Sequence, residues 1–229
     1  IFIEDIDIDL SIKNLSLIIF ALIIFIPVFY LLSIKLVLLL DHIKRIKIYD
    51  SFLATIIAYN YNLFFPAKTG DFFRHKFLNI DISFKNFFKI NIIEKLVSLI
   101  VLSFFILVSY LTLDLSFFNL INFDIIYIYV LTFLLFVIMI LFLFFFLKKE
   151  KMLKKKLFKF LIFDIIIWTL QFAQIFLIIK ILGINLTFFQ TIFIFGISII
   201  AGLLPISVGG FGVRDYMIFV LFKFLKVDA

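Results

Sequence analysis

The sequence predicts an all-α fold, a polytopic bundle of membrane helices that forms a single transmembrane domain over residues 1–229. The chain is 66% hydrophobic and 16% charged, with a mean hydropathy of +1.28. That is more apolar surface than one soluble core can bury. Lipid offers backbone groups no hydrogen bonds, and the apolar runs lack the alternation of a membrane barrel, so these runs must be helices.

Four apolar runs are long enough to cross a membrane, which takes roughly 20 helical residues. They are residues 15–40, 84–113, 123–147 and 160–182. Pro27 in the first run predicts a kink, which membrane helices tolerate. Lys35 lies near the end of the same run, so we expect its ammonium group to extend to the membrane interface.

Two further segments are apolar runs that stop at a proline. Residues 51–65 precede Pro66, and residues 187–204 precede Pro205. After each proline the chain reaches a glycine and then presents an acid and an arginine. The first motif reads NLFFPAKTGDFFR from Asn62, and the second reads LLPISVGGFGVRD from Leu203. We expect each segment to be a broken helical hairpin that enters the membrane and returns to the same face.

The basic residues predict the topology, because lysine and arginine are retained on the cytoplasmic side. They concentrate at positions 44–47, 74–89 and 148–159, whereas the loop at 114–122 has none. This pattern is consistent only if residues 51–78 enter and leave on the cytoplasmic side, which puts the acidic segment 4–9 outside. The second hairpin then enters from the opposite face, so the two motifs are inverted copies that meet near the membrane midplane, as in many transporters. Lys223 and Lys226 do not fit this arrangement, so two full spans over 187–225 remain an alternative.

The first motif supplies three candidate binding residues. Asp71 and Arg74 are three positions apart, so they can pair with each other or face a ligand. Charged groups within a membrane are costly and mark functional sites, and the planar fork of arginine suits phosphate. Asn62 can bind a headgroup or cap the broken helix end. Glu94 needs a cationic partner, and Arg74 and Arg214 are the candidates.

The second motif predicts an anion site. Gly209 and Gly210 permit positive φ angles and let backbone amides approach a ligand. A helix follows them, so its N-terminus can bind an anion, with Arg214 reinforcing the charge and Ser207 adding a hydroxyl. Asp215 balances the arginine. Alternatively, the glycines serve only close helix packing.

These motifs resemble the membrane region of the lysylphosphatidylglycerol synthase family, also called flippase-like domain proteins. The resemblance rests on the two motifs, on Ile93-Glu94-Lys95-Leu96 and on Trp168, and it covers the chain from about position 35 to the end. The family usually has glutamate at positions 71 and 215, and commonly has arginine at 95 and an acid shortly after it. It also implies a further N-terminal span, so we expect a truncated fragment. The soluble domain that carries transferase chemistry in the synthases is not among these residues.

We therefore expect a multi-pass protein of a prokaryotic cytoplasmic membrane that translocates or handles an anionic lipid or a lipid-linked saccharide in envelope biogenesis. The residues expected to bind this substrate are Asn62, Asp71, Arg74, Glu94, Ser207, Gly209, Gly210, Arg214 and Asp215. Envelope glycosyltransferases are candidate partners. Two alternatives are a membrane-embedded transferase acting on a polyprenyl-phosphate lipid and a scaffold for polysaccharide assembly.

We expect no metal, no cofactor and no nucleic-acid partner. The chain has no cysteine and only two histidines, which makes a zinc site improbable. The basic run at 148–159 suits anionic lipid headgroups and is already explained by topology.

Overall fold

The computed structural model describes residues 12–41, 43–78, 82–113, 137, 140, 151–204 and 207–225. Within these ranges the regular secondary structure is helical, with no strand. The all-α prediction is therefore confirmed. The expected span at 123–147 lies outside the described residues apart from positions 137 and 140, and so do Pro205 and the acidic segment 4–9.

The first expected span consists of two helices that meet at Ile24. Helix α1 covers Ile12–Ile23 and α2 covers Phe25–Leu40. Pro27 has no N–H to donate to the carbonyl four residues earlier, and its ring crowds that carbonyl, so the ladder of hydrogen bonds is interrupted about one turn before the proline. Together the two helices contain a candidate span at Leu15–Leu40.

The first motif forms a turn between α3 and two short helices. Helix α3 covers Ile48–Phe64 and ends because Phe65, which precedes a proline, is extended at φ −109° and ψ 138°. A 3₁₀ helix, η1, then covers Pro66–Phe73, and α4 covers Arg74–Phe77. Proline suits the first position of η1 because its missing N–H has no helical partner there. Both short helices pack back against α3.

Two long helices provide further candidate spans. Helix α5 covers Phe84–Leu111, and α6 covers Lys151–Ile181, with its candidate span at Lys156–Ile181. Helix α6 ends before Gly183, whose φ of 74° lets the N–H of Ile184 bond back to the last turn. In the described part of the chain, three helical stretches are therefore long and apolar enough to cross a membrane.

The second motif joins two short helices that pack on each other. Helix α7 covers Phe188–Gly202 and starts with a reciprocal capping box between Thr187 and Gln190. A 3₁₀ turn, η2, covers Val208–Gly210, and α8 covers Val213–Phe224. With 15 and 12 residues, α7 and α8 are about 22 and 18 Å long, less than the roughly 30 Å of a hydrocarbon core. The re-entrant hairpin and the two full spans both remain predictions.

Helix α5 lies at the centre of the described bundle, where it packs against α2, η1, α6 and α7. One buried cluster joins α2, α5 and α6 around Leu39, Phe87 and Phe160. A second joins α5 with α6 and α7 around Leu102, Phe172 and Ile194. Any polar side chain that α5 turns inward therefore meets residues from several elements.

Candidate functional site

Arg74, at the start of α4, is bound on several sides by buried groups. Its Nη2 donates to Glu94 Oε2 at 2.8 Å and to Asn91 Oδ1 at 2.6 Å, and its Nε donates to the main-chain oxygen of Asp71 at 3.1 Å. The Arg74 side chain is 3% exposed and that of Glu94 is 7% exposed. A charge-assisted fork of this kind fixes the guanidinium in one orientation. Arg74 thus holds the first motif on α5.

Asp71 lies at the edge of the same network. Its Oδ1 accepts a hydrogen bond from Asn62 Nδ2 at 3.0 Å, and its Oδ2 pairs with the ammonium of Lys95. The Lys95 side chain is 35% exposed and that of Asp71 is 14% exposed. This pair therefore lies nearer to solvent than the Arg74–Glu94 pair does.

A third ion pair joins α2 and α6. Lys35 Nζ donates to both carboxylate oxygens of Asp164, at 2.6 and 2.8 Å, and each side chain is 1% exposed. The prediction that Lys35 extends to the interface is therefore wrong. A carboxylate on the neighbouring helix binds the ammonium inside the bundle, which avoids the need to reach water. Lys35 is also close enough to Glu94 for their charges to interact.

The three pairs form a network in which the charges balance. Each base has one acid at its shortest distance: Lys35 with Asp164, Arg74 with Glu94, and Lys95 with Asp71. Arg74 Nε also lies 3.9 Å from Asp71 Oδ1, which links two of the pairs. Burying ions is costly, and pairing with hydrogen bonds offsets that cost. The network explains how α2, α5, α6 and the first motif carry six charges in an apolar bundle.

The glycines of the second motif let it approach its neighbours closely. Gly209 has a φ of 62°, and a Cβ added there would lie 2.6 Å from the carbonyl oxygen of Leu63 in the first motif. Gly210 has a φ of 79°, and its Cβ would lie 2.9 Å from the carbonyl oxygen of Gly202. Both positions therefore need glycine for the backbone angle and for space. The second motif packs directly on the first.

Two cations without an acidic partner lie where the motifs meet. Lys68 in η1 and Arg214 in α8 are both exposed, and neither side chain has a salt bridge or hydrogen bond within the described residues. A Cβ added at Gly202 would lie 3.6 Å from Arg214 Cβ, so the arginine sits beside the end of α7. Although the Lys68 side chain reaches solvent, the protein around it desolvates the ammonium. Burial, and then the nearby positive charge of Arg214, lower the pKa of Lys68.

The same region contains a buried hydroxyl. Ser207 Oγ is buried and has no hydrogen-bond partner among the described residues. We use the name junction for Lys68, Ser207, Gly209, Gly210 and Arg214. Lys68 is also close enough to Lys95 for their charges to interact, so the junction adjoins the paired network.

The structure divides the predicted binding residues into two groups and one outlier. The first group lies in the paired network and consists of Asn62, Asp71, Arg74 and Glu94. The second group lies at the junction and consists of Ser207, Gly209, Gly210 and Arg214. Asp215 is exposed, and its Oδ2 accepts a hydrogen bond from the N–H of Gly212 at 3.1 Å.

Sequence reasoning missed some of the residues that complete the site. Lys68 was not singled out, although it lies inside the first motif, between its proline and its glycine. Its φ of 53° is a left-handed conformation that only a structure shows. The pairing of Lys35 with Asp164 joins positions 129 apart in the chain, so no local pattern could reveal it. Glu94 pairs with Arg74, one of its two expected partners.

Trp168 and Gln174 connect helices. Trp168 Nε1 donates to the main-chain oxygen and the hydroxyl of Ser98 at 3.1 and 3.2 Å, joining α6 to α5. Gln174 Nε2 donates to the main-chain oxygen of Ala21 at 2.9 Å, joining α6 to α1. These contacts satisfy buried donors and hold the bundle around the paired network.

Comparison with known proteins gives a family and no individual relative. No curated protein and no solved structure matches the chain. The family model described as lysylphosphatidylglycerol synthase TM region matches residues 7–229. With the apolar helices described above, this match indicates a multi-pass membrane protein of the flippase-like kind. The chain belongs to the lysylphosphatidylglycerol synthase TM region family.

Proposed function

We propose that this protein translocates or handles an anionic lipid or a lipid-linked saccharide, in the cytoplasmic membrane of a prokaryote during envelope biogenesis. The observation that carries the proposal is the free positive charge of Lys68 and Arg214 at the junction of two broken helical segments. Neither side chain has a salt bridge within the described ranges, although both lie beside a network whose six charges are paired. A bound anion is the simplest group that would balance the charges of Lys68 and Arg214.

The paired network supports this role by holding the first motif in place. Arg74 and Glu94 fix η1 and α4 to α5, and the Lys35–Asp164 pair fixes α2 to α6. Binding sites are most effective when rigid neighbours position their donors in advance. In this proposal the paired network holds the first motif in a fixed position, and the junction residues contact the ligand.

The junction also fits a lipid rather than only a soluble anion. Leu63, Val208 and Phe211 are exposed apolar residues within or next to the two motifs. A polar headgroup can contact Lys68 and Arg214 while its chains remain against apolar surface. Broken helices that expose polar groups in this way are a common device of membrane transporters. Envelope glycosyltransferases would be partners if the lipid carries a saccharide.

A reconstitution assay tests the proposal. The purified protein is placed in vesicles that contain fluorescent phospholipids or polyprenyl-phosphate lipids, and the accessibility of each label on the two leaflets is followed. We expect faster translocation of at least one anionic lipid than in protein-free vesicles. No acceleration for any lipid of the panel would contradict the proposal. Lipid analysis of the same vesicles, if it showed chemical turnover, would favour a transferase instead.

A further inference from the structure

Counting charges around the junction indicates what kind of anion it would bind. The six charges of the network cancel in three pairs. Among the described residues, Lys68 and Arg214 then remain at the junction as two positive charges without a salt bridge. The Asp215 carboxylate contacts the N–H of Gly212 at the start of its own helix, where an acid is favoured by the free backbone amides. No salt bridge joins Asp215 to Lys68 or Arg214 among the described residues, so its charge is not paired with either cation.

The geometry around the two cations supports a compact ligand with several acceptor oxygens. Ser207 Oγ is buried without a hydrogen-bond partner among the described residues, so a ligand oxygen that accepts a hydrogen bond from it would satisfy it. Arg214 offers a planar fork, and Lys68 offers a point charge. Lys68 adopts a φ of 53°, a conformation that costs free energy for a residue with a side chain. Backbone strain of this kind is retained mostly at functional positions.

We infer that the junction binds a lipid whose phosphate group carries two negative charges, such as a phosphate monoester or a diphosphate-linked saccharide lipid. A phosphodiester, which carries one charge, would leave one of the two cations unbalanced. This inference rests on the proposed function and narrows its substrate class. Desolvation, and then the positive charge of Arg214, lower the pKa of Lys68, and a bound anion would favour its charged form again.

The test measures binding of two lipids with identical acyl chains, phosphatidic acid as the monoester and phosphatidylglycerol as the diester. Purified protein in nanodiscs is titrated with each at pH 8, where the second ionisation of a phosphate monoester, with a pKa near 6, is complete. We expect phosphatidic acid to bind about tenfold more tightly, a typical effect of one added charge-assisted contact. Equal affinities would overturn the inference and leave the proposed function intact.

Single substitutions assign the preference to the junction. Lys68→Gln and Arg214→Gln should each reduce the preference to about twofold or less, mainly by weakening phosphatidic acid. Both side chains reach solvent, so neither change disturbs the packed core. Lys85→Gln is the matched control, because Lys85 is an exposed lysine at the start of α5 that is not one of the junction residues, and it should keep the preference. If both junction variants still preferred phosphatidic acid about tenfold, the preference could not be assigned to the junction.

A soluble competitor separates a lipid ligand from free phosphate. Glycerol phosphate carries the same dianion without acyl chains, so we expect it to compete at least tenfold more weakly than phosphatidic acid. Equal competition would show that the site takes a soluble phosphate, and the lipid assignment would fail. If neither lipid binds and no lipid is translocated in vesicles, the proposed function fails as well.

Discussion

Each motif places an arginine shortly after its proline, eight positions after Pro66 and nine after Pro205, and the two arginines have opposite environments. Arg74 is 2% exposed and is bound by Glu94 and Asn91. Arg214 is exposed and has no partner among the described residues. In our proposal the first arginine is structural and the second contacts the ligand. The two similar sequences acquire different surroundings because, among the described residues, α5 supplies acceptors to only one of the two arginines.

The largest difference should appear when each arginine is replaced by alanine. Arg74→Ala leaves the Glu94 carboxylate buried without its cation, which should cost about 3–5 kcal/mol of stability. Arg214→Ala removes an exposed side chain without partners, so its effect on stability should stay within about 0.5 kcal/mol. Thermal unfolding of both variants in detergent measures the difference. Equal losses of stability would contradict the division into a structural and a ligand-binding arginine.

Removing one member of the Lys35–Asp164 pair should have a similar effect away from the junction. Lys35→Met leaves the Asp164 carboxylate, which is 1% exposed, without a counter-ion, so we expect a loss of about 3–5 kcal/mol. The double variant Lys35→Met with Asp164→Leu should recover most of this loss, because both charges are gone. If the double variant were as unstable as the single one, packing rather than charge would account for the effect.

The contact between the motifs can be weakened without removing any charge. Gly209 and Gly212 both have positive φ angles, so alanine at either costs roughly 1–2 kcal/mol. Only at Gly209 does the added Cβ meet a neighbour, the Leu63 carbonyl oxygen at 2.6 Å, whereas the space at Gly212 is open. Gly209→Ala should therefore lower translocation more than Gly212→Ala does. Equal translocation rates in the two variants would show that close contact of the motifs is not required.

The smallest expected effect is a pH dependence of anion binding. Burial and Arg214 lower the pKa of Lys68, and a bound anion raises it again. Affinity should thus fall as pH rises through the lowered pKa of the free protein, because the ammonium that binds the anion is lost there. Titration of phosphatidic acid binding between pH 7 and 10 follows this change. Lys68→Gln should flatten the profile, and an unchanged profile would exclude Lys68 as the titrating group.

The sequence was sufficient for the fold class because hydropathy alone requires membrane helices. It also located the breaks, since Pro66 ends α3 by removing an N–H and restricting Phe65. The pairing of charges could not be predicted with the same certainty. Whether Lys35 reaches the interface or Asp164 depends on which face α6 turns toward α2, and helical periodicity in an almost wholly apolar run does not specify that face.

The surroundings of Lys68 and Gly209 likewise could be predicted from the sequence only in part. Lys68 resembles any basic residue in a loop until the structure shows its backbone angle and the lack of a salt bridge to it among the described residues. Gly209 was correctly expected to take a positive φ, because that requirement is local. That it would contact Leu63 depends on how two segments about 140 positions apart pack together, which is a property of the tertiary structure.

We infer that Lys68 and Arg214 bind the phosphate of a transported lipid, and a comparison of translocation by variants of equal stability tests this inference. Thermal unfolding first verifies that the variants Lys68→Gln, Arg214→Gln and the control Lys85→Gln have the same midpoint as the unmodified protein. Each is then reconstituted in vesicles that contain a fluorescent anionic lipid. We predict that each junction variant lowers the translocation rate about tenfold or more, since each loses a charge-assisted contact, and that the control keeps the full rate. A full translocation rate in both junction variants would show that neither cation is needed to bind the transported lipid.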